Sequence, residues 1–290
     1  MIDVAIVGCG HMGARHASVV ARDPNCRLAF CVDIVPDRAR VLTQRFGGRA
    51  LEQVPEGVDA VVVATPTTSH CAVSGPLLQR GLWCLVEKPL ADSAVKAATL
   101  GSPRLVVGHV ERFNPAIRAA GSMRPRYVEA RREAPPTGRS EDIDVVLDLM
   151  IHDLDLVLHW AEPGATIEVV DAVGIGDPVD TASVRLRTSD GLTATLVASR
   201  VAAERARWIH AFEPGRYTTL DMLAGTAHRG GVALSGDDDR DALTAQWDAF
   251  RDAVTGVDGG QVPMVGGTAG IRAVHLAEQI CQKIWDNGHR

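Results

Sequence analysis

The run Gly8-Cys9-Gly10-His11-Met12-Gly13 directly follows the apolar residues 4–7 and opens the amphipathic stretch 12–22. In a strand-turn-helix unit each glycine of this spacing has a physical reason. The first permits a tight turn, the second lets backbone approach a pyrophosphate, and the third lets the helix pack closely on the strand. The helix N-terminus adds free N–H groups and a partial positive charge. Gly8, Gly10, His11, Met12 and Gly13 are therefore expected around the phosphates of a dinucleotide. Asp33 stands 20 residues beyond Gly13, at the end of the next apolar run, where a carboxylate can accept hydrogen bonds from an adenosine ribose. A carboxylate followed by the apolar Ile34 favours NAD, because it repels the extra phosphate of NADP. Arg38 is close enough in sequence to keep NADP open.

The rest of the first 110 residues fits a parallel sheet covered on both faces. Short apolar runs at 4–7, 28–32, 60–64, 84–86 and 105–107 alternate with helix-like stretches at 12–22, 36–46, 69–80 and 93–100. After Asn114-Pro115 the rhythm changes. A long helix is expected over 145–160, followed by runs of alternating polarity at 167–173, 182–188, 193–199, 208–212 and 217–222, the pattern of an antiparallel sheet. Two helices, 241–254 and 268–285, close the pattern, and Asp237-Asp238-Asp239 reads as an exposed turn. A chain of 290 residues exceeds what one core usually fills, so two domains are expected, 1–120 and 121–290.

Composition narrows the partners. With 46% apolar and 23% charged residues the chain is ordinary globular protein, and a net charge of -6 offers no general attraction to nucleic acid or anionic membrane. No apolar run reaches the roughly 18 residues of a membrane span. The six cysteines form no Cys-x-x-Cys pair, so neither a structural metal site nor an oxidising compartment is expected. A soluble cytoplasmic protein with a small-molecule ligand fits best.

Two further features carry chemistry. The run 84–86 ends in Glu87-Lys88-Pro89, at the carboxyl edge of a parallel sheet, where ligands bind. Only three of the 30 basic residues are lysine, and unlike arginine a lysine can give up its proton in a suitable environment. The second feature is a polar stripe, Asp144, Asp148, His152, Asp155 and His159, spaced by four, four, three and four on an otherwise mostly apolar helix. Asp148 and His152 at i, i+4 can form a carboxylate-oriented imidazole.

Gly8-x-Gly10-x-x-Gly13, Thr65-Pro66-Thr67-Thr68-Ser69-His70, Glu87-Lys88-Pro89, Asp148-x-x-x-His152 and the closing Pro263-Met-Val-Gly-Gly occur in the order seen in the Gfo/Idh/MocA oxidoreductases, which this chain resembles along most of its length. The resemblance implies an α/β fold: an N-terminal Rossmann domain, then a C-terminal α+β domain with an open-faced, mainly antiparallel sheet whose free face often mediates oligomerisation. It also implies Lys88, Asp148 and His152 as a catalytic trio near the nicotinamide, with Thr65, Pro66, His70 and Glu87 helping to hold the cofactor. Oxidising a secondary alcohol then requires hydride transfer while a base removes the hydroxyl proton. Either Lys88 or His152 could be the final base.

Residues 108–115, 130–136 and 147–155 are similar to the subgroup that includes UDP-N-acetylglucosamine 3-dehydrogenases. By that similarity Arg112, Asn114, Arg131, Arg132 and Asp155 become candidates for holding substrate hydroxyls or phosphates, since arginine makes bidentate contacts to phosphate. The expected protein is an NAD-dependent dehydrogenase of a sugar nucleotide, assembled as a homodimer or homotetramer. An NADP(H)-dependent enzyme acting on a free sugar, polyol or imine and a non-catalytic NAD(P)-binding sensor are the alternatives.

Overall fold

A computed structural model of the chain describes residues 1–136, 143–236, 239–257 and 264–288. Asp237 and Asp238 of the expected acidic turn, and Pro263 of the closing motif, lie outside the described residues. The chain divides into two compact units, one formed by Met1–His109 with Leu243–Ile271, the other by Val110–Ala242 with Arg272–Arg290. A single cut at residue 120 therefore does not describe the packing, because residues 110–120 cluster with the second unit and residues 243–271 return to the first.

The first unit is a six-stranded, wholly parallel sheet. Its strands are β1 (Ile2–Val7), β2 (Cys26–Val32), β3 (Arg49–Leu51), β4 (Ala60–Val63), β5 (Trp83–Glu87) and β6 (Leu105–Gly108). They lie in the order β3-β2-β1-β4-β5-β6. Helices α1 (His11–Arg22), α2 (Pro36–Phe46), α3 (His70–Gln79) and α4 (Ala94–Ala98) connect them, with a 3-10 turn at Thr67–Ser69. The near-continuous apolar runs are buried throughout, β4 along its whole length, as strands covered on both faces must be. The order reverses between β1 and β4, so the chain leaves these two strands in opposite directions and opens a crevice at their carboxyl ends.

The second unit begins with a 3-10 turn, Val110–Phe113, and α5 (Pro115–Ala120). Its sheet comprises β7 (Tyr127–Glu133), β8 (Ile167–Ile175), β9 (Thr181–Thr188), β10 (Thr193–Ser199), β11 (Ala206–Glu213), β12 (Arg216–Asp221), β13 (Thr226–Arg229) and β14 (Val232–Leu234). The order is β14-β13-β12-β11-β7-β10-β9-β8, antiparallel throughout except for the β7-β10 pair. Burial alternates along β9, where Ala182, Val184 and Leu186 are buried and Ser183, Arg185 and Arg187 are exposed. One sheet face is thus packed and the other open.

The expected helix over 145–160 exists but is not one regular α-helix. Val146–Met150 form a π-helical turn, and α6 (Ile151–Trp160) continues from it. The chain ends with α7 (Ala242–Thr255) and α8 (Gly267–Asp286), which agree with the expected boundaries to within a residue.

Candidate active site

In the first unit the glycine run sits where β1 meets α1. Gly8 has φ +91°, and a Cβ there would lie 2.6 Å from the Ala64 backbone, so the turn against the end of β4 is open only to glycine. A Cβ on Gly13 would meet the Gly8 carbonyl oxygen at 1.9 Å, which is the close helix-strand approach expected of the third glycine. Gly10 differs: a Cβ there would meet nothing within 4 Å and would project into open space at the start of α1. That space is the cradle a pyrophosphate needs, so the residues present fit a dinucleotide.

The cradle belongs to a cleft of about 870 Å³ lined by Gly8, Gly10, Met12, Asp33, Arg38, Thr65 and Pro66, among others. The Asp33 carboxylate accepts the Cys9 N–H at 2.7 Å and the Val35 N–H at 2.8 Å. These bonds fix it at the cleft wall, and each oxygen keeps a lone pair for a ribose hydroxyl. Glu52, Gln53, Val54 and Arg80 also line the cleft. They follow β3 or end α3, and no sequence motif marks them.

His11, Gly13, His70 and Glu87 do not line this cleft. His11 is exposed at the first turn of α1. The His70 ring is buried, with Nδ1 2.9 Å from the Pro89 carbonyl oxygen and Nε2 2.9 Å from that of Thr65. Burial pushes its pKa down, against the pull of the two carbonyls. It ties the Thr65-Pro66 loop to the segment after Lys88, behind the cleft wall. Glu87 likewise lies off the cleft: its buried carboxylate accepts His16 Nε2–H at 2.7 Å and the Lys88 N–H at 3.2 Å. Burial pushes Glu87 up, but the His16 bond and charge and the charge and N–H of Lys88 hold it below the usual carboxylate range. The backbone at Lys88 is thereby fixed at the carboxyl end of β5.

His16 is a buried site residue that no sequence motif marks. Its signal was a polar residue within the stripe Gly13, His16, Ala17 and Val20, the buried face of α1. A buried imidazole there calls for a buried partner.

In the second unit Asp148 and His152, both half-buried, stand on the π turn and the first turn of α6. A π turn carries an extra residue, so the regular stripe from Asp144 to His159 is interrupted where Asp148 is presented. Asp144 precedes the π turn, its carbonyl accepting the Asp148 N–H at 3.1 Å and its carboxylate the Val179 N–H at 2.8 Å.

The residues expected to hold substrate are engaged elsewhere. Arg112 Nε and Nη2 clasp the two oxygens of Asp155, each at 2.7 Å, in the interior. Asn114 caps α5 through its side-chain oxygen, while its amide donates to Glu111 and to the Met222 carbonyl. Arg132, also a candidate, points inward from β7 and donates Nε and Nη2 to Asp153 and Nη1 to Glu111. Burial pushes the Glu111 carboxyl up, but Arg132 and Arg207 hold it below its usual range. Arg131, the next residue along the strand, points to the opposite, open face and bonds Glu133 at 2.8 Å. Buried charges are normally paired, and that pairing consumes the groups that sequence alone assigned to substrate.

A glycine cradle at the reversal point of a parallel sheet, with an acid at the ribose position, defines a dinucleotide-binding Rossmann domain, here followed by an open-faced sheet domain. The chain belongs to the Gfo/Idh/MocA oxidoreductase family: residues 2–102 match its NAD-binding Rossmann fold and residues 90–216 its C-terminal domain. It is 36% identical over 302 aligned positions, 95% of each chain, to a UDP-N-acetylglucosamine 3-dehydrogenase of Acidithiobacillus ferrooxidans. A solved structure of that dehydrogenase, GnnA, superposes with a TM-score of 0.88 at 37% identity, covering 98% of this chain and 97% of that one. The myo-inositol dehydrogenase Hyg17 of Streptomyces leeuwenhoekii is 31% identical over 68% of this chain and 69% of its own.

Proposed function

We propose that this chain oxidises a secondary hydroxyl of a sugar nucleotide, with UDP-N-acetylglucosamine as the reference substrate and NAD as the acceptor. The observation that carries the reading is the similarity along 95% of both chains to the Acidithiobacillus dehydrogenase, since it spans the cofactor unit and the unit bearing Asp148 and His152.

When bound on the Gly10 cradle, the dinucleotide supplies the hydride acceptor. The protein's own task is the proton. Oxidation of a carbinol breaks a C–H bond, whose electron pair leaves as hydride, and an O–H bond, whose proton passes to a base. In this reading the His152 imidazole or the Lys88 amine takes that proton, and the other stabilises the developing alkoxide. Asp148 orients the imidazole. Glu87, held by His16, keeps the backbone of Lys88 in place.

The chain is further proposed to act in the cytoplasm as a homodimer or homotetramer. Among the described residues no helix is long and apolar enough to cross a membrane, and the cysteines are free thiols. The open sheet face carries an aromatic cluster in which Trp208 stacks on His210 and Tyr217 meets both His210 and Phe212, a surface suited to a second copy.

Incubating the purified protein with NAD and UDP-N-acetylglucosamine, while following NADH absorbance, tests the proposal. Turnover of the sugar nucleotide supports it. Turnover of a free polyol alone overturns the substrate class, and a preference for NADP overturns the role given to Asp33.

A further inference from the structure

Since Arg112 and Arg132 are locked into buried carboxylates and Arg131 faces the open side of the sheet, a sugar nucleotide would need other cations for its diphosphate. The second unit has a cleft of about 410 Å³ whose lining includes Asp148, Asp177, Asp180, Arg200, Arg205 and Arg207. Its lining carries both signs of charge. Arg200 Nε donates to Asp180 at 2.6 Å, so these two satisfy each other. The other charged lining residues are Asp148 on the π turn, Asp177 between β8 and β9, and Arg205 and Arg207 at the start of β11.

Arg207 is only loosely engaged by the buried carboxylates. Arg207 lies opposite Arg132 in the β7-β11 register and reaches Glu111 Oε1 only at 3.4 Å, because that oxygen already accepts Arg132 at 2.7 Å. The second Glu111 oxygen is taken by Asn114, and both Asp153 oxygens by Arg132. Glu111 and Asp153 thus balance Arg132 and Arg207, and the exposed Arg205 adds a further positive charge to the cleft lining. Among the described residues Arg205 makes no ion pair of its own. Burial and the charges of Arg132 and Arg205 push Arg207 down from its usual range against the pull of Glu111, a strain that an arriving anion relieves.

A cleft lined by both guanidinium and carboxylate groups suits a ligand that carries a diphosphate and hydroxyls. A diphosphate calls for arginine, and sugar hydroxyls can donate to a carboxylate. We propose that Arg205 and Arg207 form the diphosphate subsite of the substrate, with the sugar directed toward Asp148. This assignment rests on the sugar-nucleotide reading above.

The test is calorimetric titration of the full chain, with NADH present, using UDP and uridine as probes. Arg205 is exposed, so its replacement leaves the buried network intact. Arg205→Ala is expected to weaken UDP binding at least tenfold and Arg205→Glu further, with Arg205→Lys between wild type and alanine. Uridine affinity should not follow that order, and NADH affinity should be retained as a check of folding. The KM for UDP-N-acetylglucosamine should rise in the same order as the UDP dissociation constant. If the wild type oxidises UDP-N-acetylglucosamine but Arg205→Ala and Arg205→Glu keep its KM and UDP affinity, the subsite is wrong and the substrate reading stands. If the wild type oxidises only a free polyol and does not bind UDP, the substrate reading falls and the subsite with it.

Discussion

Arg112 and Asp155 face each other through two parallel hydrogen bonds of 2.7 Å, with side chains only 9% and 1% exposed. The sequence puts them 43 residues apart, on a 3-10 turn and on α6, and nothing in their local pattern announces the pairing. Removing one partner of a buried pair strands the other charge, at a cost of about 3–5 kcal/mol. Arg112→Ala and Asp155→Ala should therefore each lower the urea midpoint sharply. A double replacement by apolar residues of similar size should recover much of the loss. Unchanged stability combined with a raised KM for substrate would return the pair to the role first expected of it.

The glycines separate folding from binding. Gly13→Ala puts a Cβ 1.9 Å from the Gly8 carbonyl oxygen and should destabilise the first unit. Gly10→Ala meets no protein atom within 4 Å and should leave the melting temperature near that of wild type. Its methyl group occupies the cradle, so NAD affinity should fall by about tenfold or more, a change of at least about 1.4 kcal/mol. Fluorescence titration with NADH alongside thermal melts reads both effects.

Cofactor choice should turn on Asp33. Asp33→Ser removes the charge that repels a ribose phosphate, and Arg38 lines the same cleft. The ratio of NADPH to NADH affinity should rise at least about tenfold in this variant, roughly 1.4 kcal/mol. An unchanged ratio would mean that another wall of the cleft selects the cofactor.

Acid should act through Glu87. Its folded pKa is held below the ordinary carboxylate value, so the native state binds fewer protons than the unfolded chain in that range. The stabilisation is fully present above the unfolded pKa, about 4.3, and is lost as pH falls through the lower folded value. Glu87→Gln should flatten the decline in unfolding free energy below about pH 4.3. Equally steep acid unfolding in wild type and variant, followed by circular dichroism, would shift that role to another carboxylate.

Lys88→Ala and His152→Ala should each abolish hydride transfer while NADH titration still shows binding, because neither residue is part of the glycine cradle. Retained turnover in both variants would remove them from the proposed chemistry.

The parallel sheet was legible because each buried strand is an uninterrupted apolar run and each glycine has a steric reason. The cradle and Asp33 were legible for the same cause. In the second unit the central strand β7 escaped notice, since its inward positions are Val128, Ala130 and the charged Arg132, too few apolar residues to stand out. Its alternation exists in space but not in hydropathy, because the carboxylates that neutralise Arg132 come from the 3-10 turn and α6. β3, β13 and β14 are only three or four residues long, too short for a periodic pattern. The π turn at Asp148 was hidden because its residues suit an α-helix equally well. The internal pairing of Arg112 and Arg132 was not legible because a buried arginine and a ligand-binding arginine look alike in sequence.

Residues 243–271 return to the first unit, where Phe250 meets Trp83 edge-on, Trp247 and Arg251 bond Asp23, and the Val265 carbonyl accepts the Val107 N–H. During synthesis the Rossmann sheet consequently waits for a segment made after the whole open-faced sheet has been translated. The order of emergence from the ribosome and the order of completion are reversed: the part that starts first finishes late. A fragment ending near residue 120 would expose the surface that α7 covers, and a nascent chain stalled there would present that surface to chaperones.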